Sequence, residues 1–129
     1  MSSTSAALFN TVSTKDIGRF FAKGGEVDPE KVVKFLKYKK EDVAVATDIP
    51  VTSVRYDERI PVDLKQRMVE WAMAINLVAS YFNDLDRTML WFQISNPLLG
   101  DMSPRDMIRI GRFKKLQKFI QTALAENKR

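Results

Sequence analysis

The chain contains no cysteine and no histidine. The first absence excludes disulfides and thiolate chemistry, the second any mechanism with an imidazole proton shuttle, and together they exclude zinc sites built from the usual ligands. Carboxylates remain for acid–base work, but no pair of Asp or Glu stands in an apolar, glycine-lined stretch that would perturb a pKa. The expectation is therefore a protein without catalysis or cofactor of its own, with a carboxylate-dependent enzyme as the alternative from another class. Long apolar runs are also missing, and no window approaches what is needed to cross a bilayer. Residues 1–11 are rich in Ser and Thr, with neither a basic start nor a sustained apolar run, so no signal peptide is expected and the cytoplasm is the expected location.

What is present is enough apolar sequence, 45% of 129 residues, to bury one continuous core but not two large ones. The net charge of +5 is uneven. Residues 1–83 hold 12 Lys and Arg against 11 Asp and Glu, whereas residues 84–129 hold 9 against 5. A basic excess in the last third suits an anionic partner, either nucleic acid or an acidic protein surface.

Helix punctuation recurs along the chain and strand-like alternation is scarce, which predicts an all-α fold. Ser13-Thr14-Lys15-Asp16 resembles a capping box, predicting a short helix over 14–22 stopped by Gly24-Gly25. Asp28-Pro29 opens the next helix, with Val32, Val33, Phe35 and Leu36 as its apolar face. Residues 43–55 fit two short helices around a turn, with Ala44 at a close crossing, Asp48 able to take positive φ, and Ile49 and Val54 as buried anchors. This is a helix-turn-helix pattern. The longest helical pattern covers 62–82, with Leu64, Met68, Trp71, Ala72, Ile75, Val78, Ala79 and Phe82 on one face, suited to the core or to a homodimer seam. A short helix over 85–92 ends in Trp91-Phe92.

The most distinctive passage follows. Asn96-Pro97 opens a turn, Leu98 and Leu99 are large apolar residues in a loop and are expected to be buried, Gly100 permits a reversal, and Ser103-Pro104 caps a new helix with Asp106 near its positive end. A terminal helix over 112–125 carries Phe113, Leu116, Ile120 and Leu124 inward, while Lys114, Lys115 and Lys118 face away.

The order helix-turn-helix, long apolar helix, then Trp91 followed by Asn96-Pro97, Leu99-Gly100, Pro104 and Met107-Ile108 resembles the Xre/MbcA/ParS antitoxins over roughly residues 28–124. The resemblance implies an N-terminal segment (1–27), an Xre-like helix-turn-helix and dimerisation region (28–83) and a C-terminal toxin-binding domain (84–129). It also implies a homodimer, no membrane, a RES-domain toxin that degrades NAD as the partner, neutralisation by steric occlusion, and operator binding by the complex. On that reading Trp91, Asn96, Leu98, Leu99, Gly100, Asp101, Arg105, Arg109, Arg112 and Lys115 form the toxin-binding surface. Trp91 and Leu99 are expected to act more as scaffold, and Arg105, Arg109 and Arg112 as exposed contacts. A recognition helix over 51–57 would turn Thr52, Ser53, Arg55 and Tyr56 to a major groove, with Lys39, Lys40 and Arg59 on phosphates. A purely structural helix pair explains the same pattern. The chain departs from the family at Asp48, where Gly is common, and at Pro50, where Ser or Thr is common. A regulator that binds DNA without a toxin is the runner-up function.

Overall fold

The computed structural model describes residues 15–126. The capping-box start at Ser13-Thr14 and the tail over 127–129 lie outside these residues. Among the described residues six helices follow one another: α1 (Pro29–Leu36), α2 (Lys40–Thr47), α3 (Val62–Phe82), α4 (Leu85–Gln93), α5 (Pro104–Arg109) and α6 (Phe113–Glu126). Two single 3₁₀ turns, Val51–Ser53 and Pro97–Leu99, interrupt the connections. No strand occurs among the described residues, where the only β pairing is two isolated bridges, Phe21 to Val27 and Asn96 to Met102.

Local chemistry accounts for most boundaries. The Asp28 carboxylate accepts the Lys31 N–H, and Pro29 occupies a first-turn position where its missing N–H costs nothing. Asp84 caps α4 by accepting from Arg87 N at 3.1 Å, and Ser103 caps α5 by accepting from Asp106 N at 3.1 Å. Asp48 ends α2 with φ 57°, the left-handed value its short polar side chain tolerates, as its position after the helix predicts. Asn83 does the same for α3 with φ 53°.

α3 is the central element and packs against α1, α4 and α6. Its buried apolar residues, from Leu64 through Trp71 and Ile75 to Val78, join one core cluster that runs from Phe20 to Ile120. The halves before and after residue 83 share this core, because α1 packs on α4 and α2 on α5. An edge-to-face ring pair connects them, Phe35 on Phe92 at 6.0 Å, and Phe20 extends it within the first half by stacking edge-on to Phe35 at 5.8 Å. Each such pair is worth about 0.5–1.5 kcal/mol beyond the area it buries.

Two expected helices do not form. Over the described part of 14–22, the Asp16 carboxylate accepts the N–H groups of Phe20 and Phe21, each at 2.9 Å, and Arg19 takes φ 55°. Asn76, buried in the middle of α3, pins this turn by accepting from Gly18 N and donating to Asp16 Oδ1, both at 3.0 Å. A side chain at position 18 would meet the Phe20 ring, its Cβ 2.1 Å from Cε2, so glycine is what lets Phe20 fold back into the core. Long-range pairing therefore overrides a local helix signal.

The second helix of the expected helix-turn-helix, over 51–57, is reduced to the 3₁₀ turn Val51–Ser53. Val54 is drawn into the core at 1% exposure with extended backbone, ψ 108°, which ends the turn. The β-branched Val51, Thr52 and Val54 offer little helical propensity to resist this. Beyond it, Asp57 organises its own turn, its carbonyl accepting from Ile60 N and its carboxylate from Arg59 N, each at 3.0 Å.

Candidate partner-binding surface

The passage from Asn96 to Met102 is a closed, hydrogen-bonded loop. The Asn96 side-chain oxygen accepts from Leu98 N at 2.9 Å, and its carbonyl accepts from Leu99 N at 2.9 Å and Asp101 N at 3.0 Å. Its own N–H donates to the Met102 carbonyl at 3.1 Å, closing the ring. Gly100 and Asp101 take φ 68° and 64°, so the reversal uses two consecutive left-handed residues, one glycine and one of the side chains that tolerate that region.

This geometry separates the two leucines. Leu99 packs against the core, whereas Leu98 stands 77% exposed, contrary to the expectation that both are buried. The 3₁₀ turn places neighbouring side chains on different faces, and only one face meets the core. Fully burying a leucine is worth roughly 1.5–3 kcal/mol, most of which Leu98 forgoes in the isolated chain.

Leu98 borders an apolar groove of about 190 Å³. Its walls are Val78, Tyr81 and Phe82 from the end of α3, Trp91 from α4, and Phe119, Ile120, Ala123 and Leu124 from α6, with Asn96 beside Leu98. Tyr81 is 54% exposed, and Leu90 and Ile94 are further exposed apolar residues on and after α4. Sequence reasoning placed Trp91, Asn96 and Leu98 here but missed Tyr81, Phe119 and Ala123. A signal existed for the last two, since Phe119 and Ala123 stand four apart and off the inward stripe of Phe113, Leu116, Ile120 and Leu124.

Arg105 is not an exposed contact. Its guanidinium donates to the Leu36 carbonyl at 2.5 Å and the Lys37 carbonyl at 2.8 Å, closing the C-terminal end of α1. It also lies 5.0 Å from the centre of the Tyr38 ring and 3.9 Å from Asp42. Tyr38 returns the contact, its hydroxyl donating to the Arg105 carbonyl at 2.5 Å. Burial drives the Tyr38 pKa well above the phenol value, with the Arg105 charge opposing. Arg109 is half-exposed and leans on Asp106 at 3.6 Å. Gly100, Asp101, Arg112 and Lys115 are exposed.

The residues expected to meet DNA divide. Lys40, Thr52, Arg55 and Tyr56 line one open hollow of about 590 Å³ together with Glu30, Val54 and Asp57. Lys39 and Arg59 are exposed outside its lining, and Ser53 is half-buried. Arg55 is held by Asp57, its Nε 3.0 Å and Nη2 2.7 Å from the two carboxylate oxygens. Burial raises the Tyr56 pKa, and Glu30 adds to the rise.

The hydrogen bond from Arg55, then that from Arg59 N, holds the Asp57 carboxyl below its ordinary value of 3.8. A depressed folded pKa contributes stability above the unfolded value that is lost as pH falls through the folded one. A carboxyl NMR titration is expected to give Asp57 a midpoint below 3.8, moving up in Arg55→Ala. A midpoint unchanged by that substitution would mean the pair is not formed in solution.

Among the described residues no helix is long and apolar enough to cross a membrane. The fold and surface define an all-helical protein with an apolar groove on its C-terminal side. Comparison with known families, curated proteins and solved structures finds no match for this chain.

Proposed function

We propose that the chain is an antitoxin that binds a RES-type NAD-degrading toxin and neutralises it by covering the entrance to its active site, acting without chemistry of its own. One observation carries the reading. A rigid, hydrogen-bonded loop holds Leu98 out at 77% exposure beside an apolar groove, an arrangement that costs solvation energy alone and recovers it when a partner covers it. The motif that resembles the antitoxin family, Asn96-Pro97 with Leu99-Gly100 and Pro104, is the segment that builds this loop and the helix after it.

Co-expression with the product of the neighbouring reading frame tests it. The product is expected to arrest growth alone, to be tolerated beside this chain and to elute with it in size exclusion. A product that is harmless alone, or that stays toxic without a complex, ends the reading.

Operator binding by a homodimer is the second part of the proposal, and a regulator acting without a toxin is the alternative. The observation favouring DNA contact is the hollow that gathers Lys40, Thr52, Arg55 and Tyr56. Weighing against base reading are the missing second helix and the engagement of Arg55 by Asp57. Promoter binding in the absence of toxin, weakening steeply with salt, would favour the regulator.

A further inference from the structure

We propose that the outward face of α6 binds the phosphate backbone of a double-stranded nucleic acid without reading its sequence. The inference rests neither on the groove nor on the antitoxin reading, and it sets a nucleic-acid contact on a surface other than the hollow beside Arg55. From Met107 to Ala125 the chain holds Arg109, Arg112, Lys114, Lys115 and Lys118 and no carboxylate. At 3.6 residues per turn, positions 114, 115 and 118 fall within an arc of about 100°. That arc lies opposite the inward stripe of Phe113, Leu116 and Ile120. The three lysines and Arg112 are exposed, and none of the four is in an ion pair among the described residues. α6 packs against α3 and α5. On α5, Asp106 is already held by Arg105 and Arg109 at 3.4 and 3.6 Å, and on α3 neither Asp63 nor Glu70 pairs with a lysine of α6. α4 and the Asn96 loop, which carry Asp84, Asp86 and Asp101, meet α6 at Phe119 and Ala123, on the flank away from Lys114 and Lys118. Glu126 lies two turns beyond Lys118, about 12 Å along the axis.

What the face lacks selects the partner. Between Phe113 and Ala125 its exposed residues other than the lysines are Thr122 and Ala125. It therefore offers no aromatic or large aliphatic anchor for a protein hot spot, no apolar surface to enter a bilayer, and no ring on which an unpaired base could stack. Contact with a duplex backbone needs none of these, only cations within reach of a dense row of anions. Lys114 and Lys115 also stand in the first turn of α6, where the helix dipole disfavours a cation and favours an anion, so the positive potential there is reinforced. Residues 112–118 span about 9 Å of chain along the axis. A duplex strand carries a phosphate about every 3.4 Å of its own axis, so two or three successive phosphates match the four cations.

The test measures the full chain binding a short labelled DNA duplex of arbitrary sequence at low salt. Its comparisons are one strand of that duplex, poly-glutamate, and vesicles of phosphatidylcholine with phosphatidylserine. The duplex is expected to bind most tightly, a scrambled duplex within about twofold of it, and amide shifts to cluster over residues 112–118. The logarithm of affinity should fall against that of salt with a slope of about −2 to −3. Lys114→Gln, Lys115→Gln and Lys118→Gln together should weaken binding roughly tenfold or more and remove most of that slope. This variant should melt at or above wild type, because like charges leave the positive end of the helix. No duplex binding by wild type, equal affinity for the strand, poly-glutamate or the vesicles, or a triple variant that binds as wild type overturns the proposal. So does a variant that melts well below wild type, since the lysines would then serve the fold. Lys40→Gln with Arg55→Gln should leave duplex binding within about twofold. If that pair alone abolishes it, DNA contact belongs to the hollow, which ends this proposal and leaves operator binding standing. The co-expression result with the neighbouring gene product bears on the antitoxin reading alone.

Discussion

Phe92→Ala is expected to destabilise the chain by about 3–5 kcal/mol, a large share of the roughly 5–15 kcal/mol that holds a domain of this size folded. Phe92 is 0% exposed and is the ring through which α4 meets α1, edge-on to Phe35 at 6.0 Å, with Trp91 edge-on to it at 5.1 Å. Removing it opens a cavity where the two halves of the chain join, so both halves should lose stability together in one transition. Urea unfolding followed by far-ultraviolet circular dichroism and by tryptophan fluorescence checks this, because Trp71 sits in α3 and Trp91 beside the groove. Coincident curves at a lower midpoint are the expected result. Two separate transitions would show that the shared core does not couple the halves. Phe92→Leu, which refills most of the volume, should recover a good part of the loss.

Arg105→Ala is expected to cost about 2–3 kcal/mol, in the range for hydrogen bonds made by a charged group. The substitution deprives the Leu36 and Lys37 carbonyls of their donor, removes the cation from the Tyr38 ring, and leaves Asp42 without its counter-charge. Its side chain is only 22% exposed, so solvent screening discounts these contacts less than it would a surface pair. Arg105→Lys should recover only part of the stability. An ammonium cannot reproduce the planar fork that reaches two carbonyls while lying near a ring. Calorimetric melting of the three proteins measures the order, wild type above lysine above alanine. Were alanine as stable as wild type, Arg105 would be a surface residue free to serve an interface, as its sequence position suggests.

These two residues show what was legible and what was not. The helical class, the full extent of α3 and the end of α2 at Asp48 followed from local rules, because apolar spacing and capping chemistry act within a few residues. The Asn-Pro-Leu-Leu-Gly loop was legible as a turn for the same reason. Local rules also implied a helix over 14–22 and another over 51–57, and there they were overruled. Asn76, some 60 residues along from Asp16, takes hold of the first segment, and burial of Val54 straightens the second.

The sequence by itself determined that this is a helical protein with no cysteine or histidine chemistry, a basic C-terminal third and one conspicuous loop after Trp91. Those are properties of composition and short-range spacing. Only the tertiary structure decided which of two adjacent leucines faces out, that Arg105 closes α1 instead of facing a partner, and that the ends of α3 and α6 join Trp91 and Leu98 around a groove. Each depends on contacts between residues far apart in the chain, whose balance of burial against hydrogen bonding is settled when the helices pack.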